Sequence, residues 1–191
     1  NYSKNASKDF AINLTRIKKI KPLIITEVNS DSKPPDLTDY DVIIDALWGS
    51  GLSRPIKDFS DELIKKVNQS GAKIFSVDIP SGMHADQHIK SIKIKADEVL
   101  SFEFPKLSFF LAENETYIKK WTVSSIGLHQ AFNKKMETDN FCSDEEMIKK
   151  MILIRKPFSH KGHFGHACII SGQKGMMGAS ILASRACLKA G

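Results

Sequence analysis

Apolar residues at Phe10, Ile12, Leu14, Ile17 and Ile20 alternate with basic and polar neighbours, a spacing that predicts a helical face over residues 9–20, stopped by Pro22. PLIITEV then reads as a short strand, and SDSKPPDLTDYD, rich in Pro, Ser and Asp, as a loop. In DVIIDALW the run Val42, Ile43, Ile44 is continuous rather than alternating, which predicts a strand buried on both faces. After Gly49-Ser50-Gly51 the chain turns through Arg54-Pro55. A helix then starts near Asp58 or Ser60, with Asp61 and Glu62 at its positive end, Leu63, Ile64 and Val67 on its apolar face, and Gly71 at its stop. KIFSVDIP is a second buried strand, completing a right-handed parallel β-loop-α-β unit. IKI, DEVLSFEF and YIKKWTVSSIGL supply further strands near a sheet edge. The predicted fold is α/β, a three-layer Rossmann-like sandwich.

The patterning changes after Leu128. HQAFNKKMETDNFC has little apolar periodicity and reads as a linker, and Ser143 followed three residues later by Glu146 forms a capping box for a new helix. A histidine- and glycine-rich turn (HKGHFGH), an apolar strand (ACIISG), a glycine turn (QKGMMG) and a helix (ASILASRACLKAG) follow as a second strand-loop-helix unit. The expected organisation is a first domain over residues 1–130, a linker over 131–143 and a second domain begun over 144–191.

Composition narrows the class. With 191 residues, 41% hydrophobic and 26% charged, the chain is globular, and no apolar run approaches the roughly 20 residues of a membrane-spanning helix. Cys142, Cys168 and Cys187 are too few and too widely spaced for a disulfide framework or a CxxC site, and a reducing, cytoplasmic compartment is expected. The net charge of +6 is spread in lysine pairs such as Lys18-Lys19 and Lys149-Lys150, which suit solvated helix faces and not nucleic acid. NYSKNASKDF lacks an initiator Met and the order of a secretory signal, so the chain reads as the interior of something longer.

Chemistry concentrates at two strand ends. Asp45 and Asp78 each end a predicted buried strand and precede a turn containing glycine, at the carboxyl edge where parallel sheets bind ligands. Two acids there can chelate a cation, hold ribose hydroxyls or exchange protons; a cap on the following turn is the plainer alternative for either. GSGLSRP offers close backbone approach to an anion, with Arg54 to neutralise charge, although a tight turn fits the spacing equally. Asp45 with Ser81 of IPSG and nearby carbonyls forms an oxygen-only set suited to a hard cation. His160, His163 and His166 recur every third residue, but intervening glycines and the lack of a completing ligand favour turn histidines over a metal site. Met176 and Met177 read as loop packing, and Phe104, Phe109 and Phe110 as core or domain contact.

DVIIDALWGSGLSRP, VDIPSGMHAD and KADEVLSFEFPKLSFF, in order over residues 10–128, resemble the latter two-thirds of the NAD(P)H-hydrate epimerase domain, the Rossmann-like YjeF N-terminal domain. HKGHFGHACIISGQKGMMGASILASRACLKAG resembles the start of the ADP- or ATP-dependent NAD(P)H-hydrate dehydratase domain, which is ribokinase-like. The resemblance implies repair of hydrated nicotinamide cofactors: epimerisation of the R and S hydrates, then dehydration of the S form with ADP or ATP in the intact protein. It implies Asp45 and Ser81 as potassium ligands and Gly49, Ser50, Gly51, Leu52, Ser53, Arg54 and Pro55 as the hydrate-binding loop, where backbone N–H groups can meet phosphate. Asp78 matches a substrate contact and Ala179 a residue of the dehydratase pocket; as a carboxylate beside the hydrated ring, Asp78 is also the candidate for proton transfer on condition that burial raises its pKa. Lys106 in FPK matches the pattern as well, and a strand-end salt bridge accounts for it equally. Trp48 and Met83 are apolar variants beside the motifs.

The family's opening glycine- and asparagine-rich phosphate loop, with a further potassium ligand, and the later glycine-aspartate segment of the dehydratase do not occur in this sequence. The expectation is therefore an incomplete epimerase site and no dehydration by this piece. Partners are small-molecule NAD(P)H hydrates, with room for a homo-oligomer. The alternatives are a non-catalytic nucleotide-binding or scaffold module, and a ribokinase-like small-molecule kinase for the C-terminal portion.

Overall fold

The computed structural model describes residues 7–22, 24–28, 33–52, 56, 59–133 and 135–190. The chain divides into two compact units, Asn1–Glu137 and Thr138–Gly191.

In the first unit, helix α1 (Lys8–Ile17) starts at Ser7, whose hydroxyl oxygen accepts the Phe10 N–H at 3.1 Å. Its apolar residues Phe10, Ile12 and Ile17 remain exposed. Residues 24–28 form no strand, contrary to the reading of PLIITEV: a strand persists only where a neighbour takes up its backbone groups, and Ile24 is 90% exposed. Four parallel strands follow in the order β1 (Val42–Asp45), β2 (Lys73–Val77), β3 (Glu98–Phe102) and β4 (Trp121–Ser124). The α/β class with a parallel, Rossmann-like sheet is as the patterning predicts. IKI is not a strand; Ile94 is instead fully buried, its N–H donated to the Ser81 carbonyl at 2.9 Å.

Helix α2 (Phe59–Gln69) joins β1 to β2 and buries Ser60, Ile64 and Val67, a 4-then-3 spacing that forms one helical face. That face meets Ile74, Ile94, Ala96 and Val99 in the core, with Ile43, Leu63, Phe109 and Trp121 packed around it. Fully burying a side chain such as Ile64 or Val99 contributes about 1.5–3 kcal/mol. The opposite side of the sheet is different. Val42 and Ile44 are 51% and 70% exposed, which corrects the expectation that β1 is buried on both faces: among the described residues, α2 covers the side of Ile43 and Asp45, while Val42, Ile44 and Leu100 lie open.

Polar clips hold the connections. Asn68 on α2 donates to the Lys93 carbonyl at 2.9 Å and accepts the Lys95 N–H at 2.8 Å, acting as a strand partner for that loop. Lys93 is 1% exposed; its ammonium donates to the Ile89 carbonyl at 2.6 Å and lies 4.8 Å from the Tyr117 ring centroid, and burial lowers its pKa. Of the three phenylalanines read as core or domain contact, Phe109 packs at the core and Phe110 meets Trp121 edge-on, while Phe104 is half exposed.

In the second unit, α4 (Glu145–Met151) is capped by Asp144, which accepts the Met147 N–H at 2.7 Å, and not by Ser143 as the capping-box pattern suggests; α3 (Gln130–Asn133) precedes it in the first unit. ACIISG forms no strand. Among the described residues of this unit the only bridge pairs Gln173 with Met176, which leaves that segment without a ladder, and Ile170 is 94% exposed. His160 and His163 cap a 3-10 turn (Lys161–His163), each accepting a backbone N–H. Met176 and Met177 are exposed, and α5 (Gly178–Ala190) closes the unit. No described helix is long and apolar enough to cross a membrane.

Gly82 has φ of 93°, and a Cβ built there would sit 2.3 Å from the Ile92 carbonyl oxygen, whereas Gly71, with φ of 80°, faces open space. Gly82→Ala should therefore lower unfolding free energy by about 2–5 kcal/mol, left-handed strain of about 1–2 plus overpacking of about 1–3. Gly71→Ala should cost only the strain, about 1–2 kcal/mol. Urea denaturation of both variants checks the difference; equal losses would contradict the packing account.

Candidate functional site

The carboxyl edge of the sheet brings the two acids together with the glycine loop. Asp45 is the last residue of β1 and is 3% exposed. Its Oδ2 accepts from the Ser76 hydroxyl at 2.7 Å and the Ser81 N–H at 2.8 Å; its Oδ1 accepts from the Ser81 hydroxyl at 2.5 Å and the Leu47 N–H at 3.4 Å. These four donors fill the acceptor positions of a carboxylate. Ser81 is fully buried, and its hydroxyl oxygen also accepts the Trp48 N–H at 3.1 Å. The strand-end pattern made this region legible, but Ser76 carried no signal: it is one more small residue in a buried strand.

Asp78 follows β2 directly and holds φ at 68°, a left-handed backbone uncommon outside glycine. Its own N–H bonds to the Leu100 carbonyl at 2.7 Å. The carboxylate accepts the Ser50 N–H at 3.3 Å on Oδ2 and the Phe102 N–H at 3.3 Å on Oδ1, and Oδ1 pairs with the Lys106 ammonium at 2.8 Å. Burial pushes this carboxyl's pKa up; the hydrogen bond and charge of Lys106, with the N–H groups of Phe102 and Ser50, more than offset it and hold the pKa below the ordinary value. The expectation of a raised pKa is corrected: the partners outweigh the burial.

The glycine loop is tied inward. Leu47, Trp48 and Ser50 direct their N–H groups to Asp45, Ser81 and Asp78, and the Leu52 N–H closes a turn on the Gly49 carbonyl at 3.3 Å. The expectation that loop N–H groups meet phosphate is thus corrected at Ser50, whose N–H the Asp78 carboxylate takes. Gly49 and Gly51 are exposed and Leu52 half-buried at the rim, while Ser53, Arg54 and Pro55 lie outside the described residues. Ala179 is exposed near the start of α5 in the second unit. Met83 is fully buried and Trp48 packs against the core, as apolar positions beside a motif should.

Glu103 is a neighbour the sequence did not reveal. With φ of 59°, its carboxylate accepts from the Ser125 hydroxyl and the Ile126 N–H, each at 2.9 Å, and these bonds lower its pKa. It fastens the segment after β4 to the end of β3. His160 and His163 cap the 3-10 turn and His166 is exposed; among the described residues no group of three or more His, Cys, Asp or Glu is arranged to hold a metal.

Residues 1–108 match the family model described as YjeF-related protein N-terminus. The chain is 32% identical over 174 residues to the bifunctional NAD(P)H-hydrate repair enzyme Nnr of Thermofilum pendens, covering 88% of this chain and 32% of that protein. It is 32% identical over 158 residues to the enzyme of the same name from Coxiella burnetii (82% and 32%), and 32% identical over 152 residues to that of Escherichia coli (79% and 29%). The chain thus spans about a third of the length of the curated relatives it matches. Relatives named as enzymes do not favour the alternative of a non-catalytic module.

Asp45→Asn would replace an acceptor-only carboxylate with an amide whose nitrogen faces buried donors. Leaving such donors unpaired should lower unfolding free energy by about 2–4 kcal/mol, measured by urea denaturation. A loss under about 0.5 kcal/mol, the range of an ordinary surface change, would refute the four-donor reading.

Proposed function

The chain belongs to the family of YjeF-related protein N-termini, and on that footing we propose that its first unit epimerises the R and S hydrates of NADH and NADPH at the strand-end site of Asp45, Asp78, Ser81 and loop 49–55. One observation carries this reading: at the ligand-binding edge of a parallel sheet, Asp78 is held ionised by Lys106 while its Oδ2 faces the glycine loop. Interconverting the epimers requires the C–N bond at the hydroxyl-bearing ring carbon to open, its electron pair leaving on nitrogen as the hydroxyl proton is taken up and a carbonyl forms, and then to reclose on the other face as the proton is returned to oxygen. An ionised Asp78 starts as a proton acceptor and not as a donor, which assigns it the base's part in the first transfer. Gly49 keeps the approach open, since a Cβ there would lie 3.7 Å from Oδ2. The cofactor's phosphates would meet the rim of the loop. Dehydration of the S hydrate with ADP or ATP belongs to the longer protein, with Ala179 in the pocket of that second step.

Asp45 and Ser81 would hold potassium. Their oxygen-only donor set fits a hard cation in kind. Since the Asp45 acceptor positions are filled, admitting the ion requires the Ser81 hydroxyl proton to turn away from Oδ1, exposing lone pairs on both oxygens. A potassium ion there supplies fixed positive charge beside an anionic substrate.

Asp78→Asn should slow R/S interconversion by about 10²-fold or more, followed by chromatographic separation of the two hydrates. Because the folded pKa is depressed, wild-type activity should persist as pH falls through the ordinary carboxylate range and fail only below it, with circular dichroism confirming a folded chain. A variant as fast as wild type rejects the base assignment. Potassium, compared with choline at equal ionic strength, should raise the melting temperature by mass action, and Ser81→Ala should erase that increment. Identical melting curves in the two salts would count against the cation.

A further inference from the structure

We propose that Lys106 is a positioning residue for the epimerisation: it occupies Oδ1 of Asp78, so that proton exchange is confined to Oδ2, beside the glycine loop. The proposal deepens the epimerase reading and rests on it for its chemistry, but not for its geometry. A carboxylate offers about four acceptor positions, two on each oxygen. Oδ1 of Asp78 spends both, on the Lys106 ammonium at 2.8 Å and the Phe102 N–H at 3.3 Å. Among the described residues, Oδ2 spends one, on the Ser50 N–H at 3.3 Å, and keeps the other. The position a Gly49 Cβ would take, 3.7 Å from Oδ2, is empty because that residue is glycine.

Lys106 is itself fully engaged. An ammonium has three donors, and these go to Asp78 Oδ1, the Phe102 carbonyl at 3.1 Å and the Phe104 carbonyl at 3.3 Å. The two carbonyls flank Glu103, whose left-handed φ of 59° bends the chain between them. With its donors spent and its side chain 15% exposed, Lys106 is placed to hold Asp78 and not to deliver a proton of its own. Among the described residues it is the charged side chain in contact with the carboxylate, for Glu103 directs its own carboxylate to Ser125 and Ile126.

The test uses this 191-residue chain with ¹³C-labelled aspartate, in wild type and in Lys106→Met, Lys106→Gln and Lys106→Arg. The Asp78 carboxyl is titrated by NMR, and epimerisation of mixed hydrates is followed across pH. Losing the cation in Lys106→Met should raise the Asp78 midpoint by about one unit or more, the scale of a close opposite charge. The acid limb of the rate profile should move with it, and kcat should fall while KM changes little. Lys106→Arg should restore most of both. Lys106→Gln, which keeps hydrogen-bonding capacity without charge, should titrate like the Met variant and serves if that variant does not fold. An unmoved Asp78 midpoint in a folded Met or Gln variant overturns the proposal whatever the activity. Absence of epimerisation in wild type, with the midpoint shifting as stated, overturns epimerisation by this chain and leaves the Oδ1 clamp standing.

Discussion

A buried carboxylate that accepts four protein hydrogen bonds cannot shift without unpairing several donors at once, and the carboxyl edge of this sheet is organised around one. Asp45 ties the end of β1 to Ser76 on β2, to both donors of Ser81 in the following loop, and to Leu47 at the mouth of the glycine loop. Three of the four bonds join segments more than 30 residues apart, so the carboxylate sets the spacing of the first two strand ends and the loops leaving them. Ser81 passes the constraint on: its hydroxyl oxygen receives the Trp48 N–H and its carbonyl the Ile94 N–H. Losing these bonds would release the loop that carries Gly49 and Ser50 to Asp78.

The two strand-end acids look alike in sequence and differ in what is left to them. Asp45 has its acceptor positions filled, and every partner is a neutral donor. Asp78 has a cation on one oxygen and, among the described residues, a single backbone donor on the other, a left-handed backbone and an exposed loop in front. A carboxylate with nothing spare fixes structure, or yields to an ion when a hydroxyl turns. One with a spare lone pair and an ammonium behind it is held ionised with an oxygen open to a further donor. The count of lone pairs, more than burial, separates the roles.

Much of this was legible in the chain. The continuous and alternating apolar runs located β1, β2, β3 and α2, because their inward residues repeat at strand and helix periods, and glycine beside an acid located the site. What the patterning could not supply was the identity of neighbours. Val42 and Ile44 look buried in a one-dimensional pattern, but burial needs a layer on their side of the sheet, and only the three-dimensional arrangement says which residues provide one. PLIITEV and ACIISG have strand composition without a ladder. Asp144 and Ser143 are both good caps, and a one-residue difference in where the helix begins decides between them. Burial of Asp78 and a salt bridge for Lys106 are each foreseeable at strand ends; that the two residues meet across 28 positions, and that the pairing outweighs the burial, is not.

Strain at this edge has a structural logic that no single motif displays. Asp78 and Glu103 follow adjacent strands, β2 and β3, and both adopt left-handed φ. Such conformations persist for non-glycine residues only where the surroundings over-determine them. At Asp78 the bend is fixed by its N–H on Leu100 and its carboxylate on Ser50, Phe102 and Lys106; at Glu103, by its N–H on the Ser124 carbonyl and its carboxylate on Ser125 and Ile126. The second bend turns two carbonyls onto Lys106, and Lys106 holds the first carboxylate. The electrostatic state of Asp78 therefore depends on how β3 ends as well as on the strand that carries it, and a change at Glu103, whose own carboxylate is directed to Ser125 and Ile126, reaches the Asp78 carboxylate by way of the ammonium.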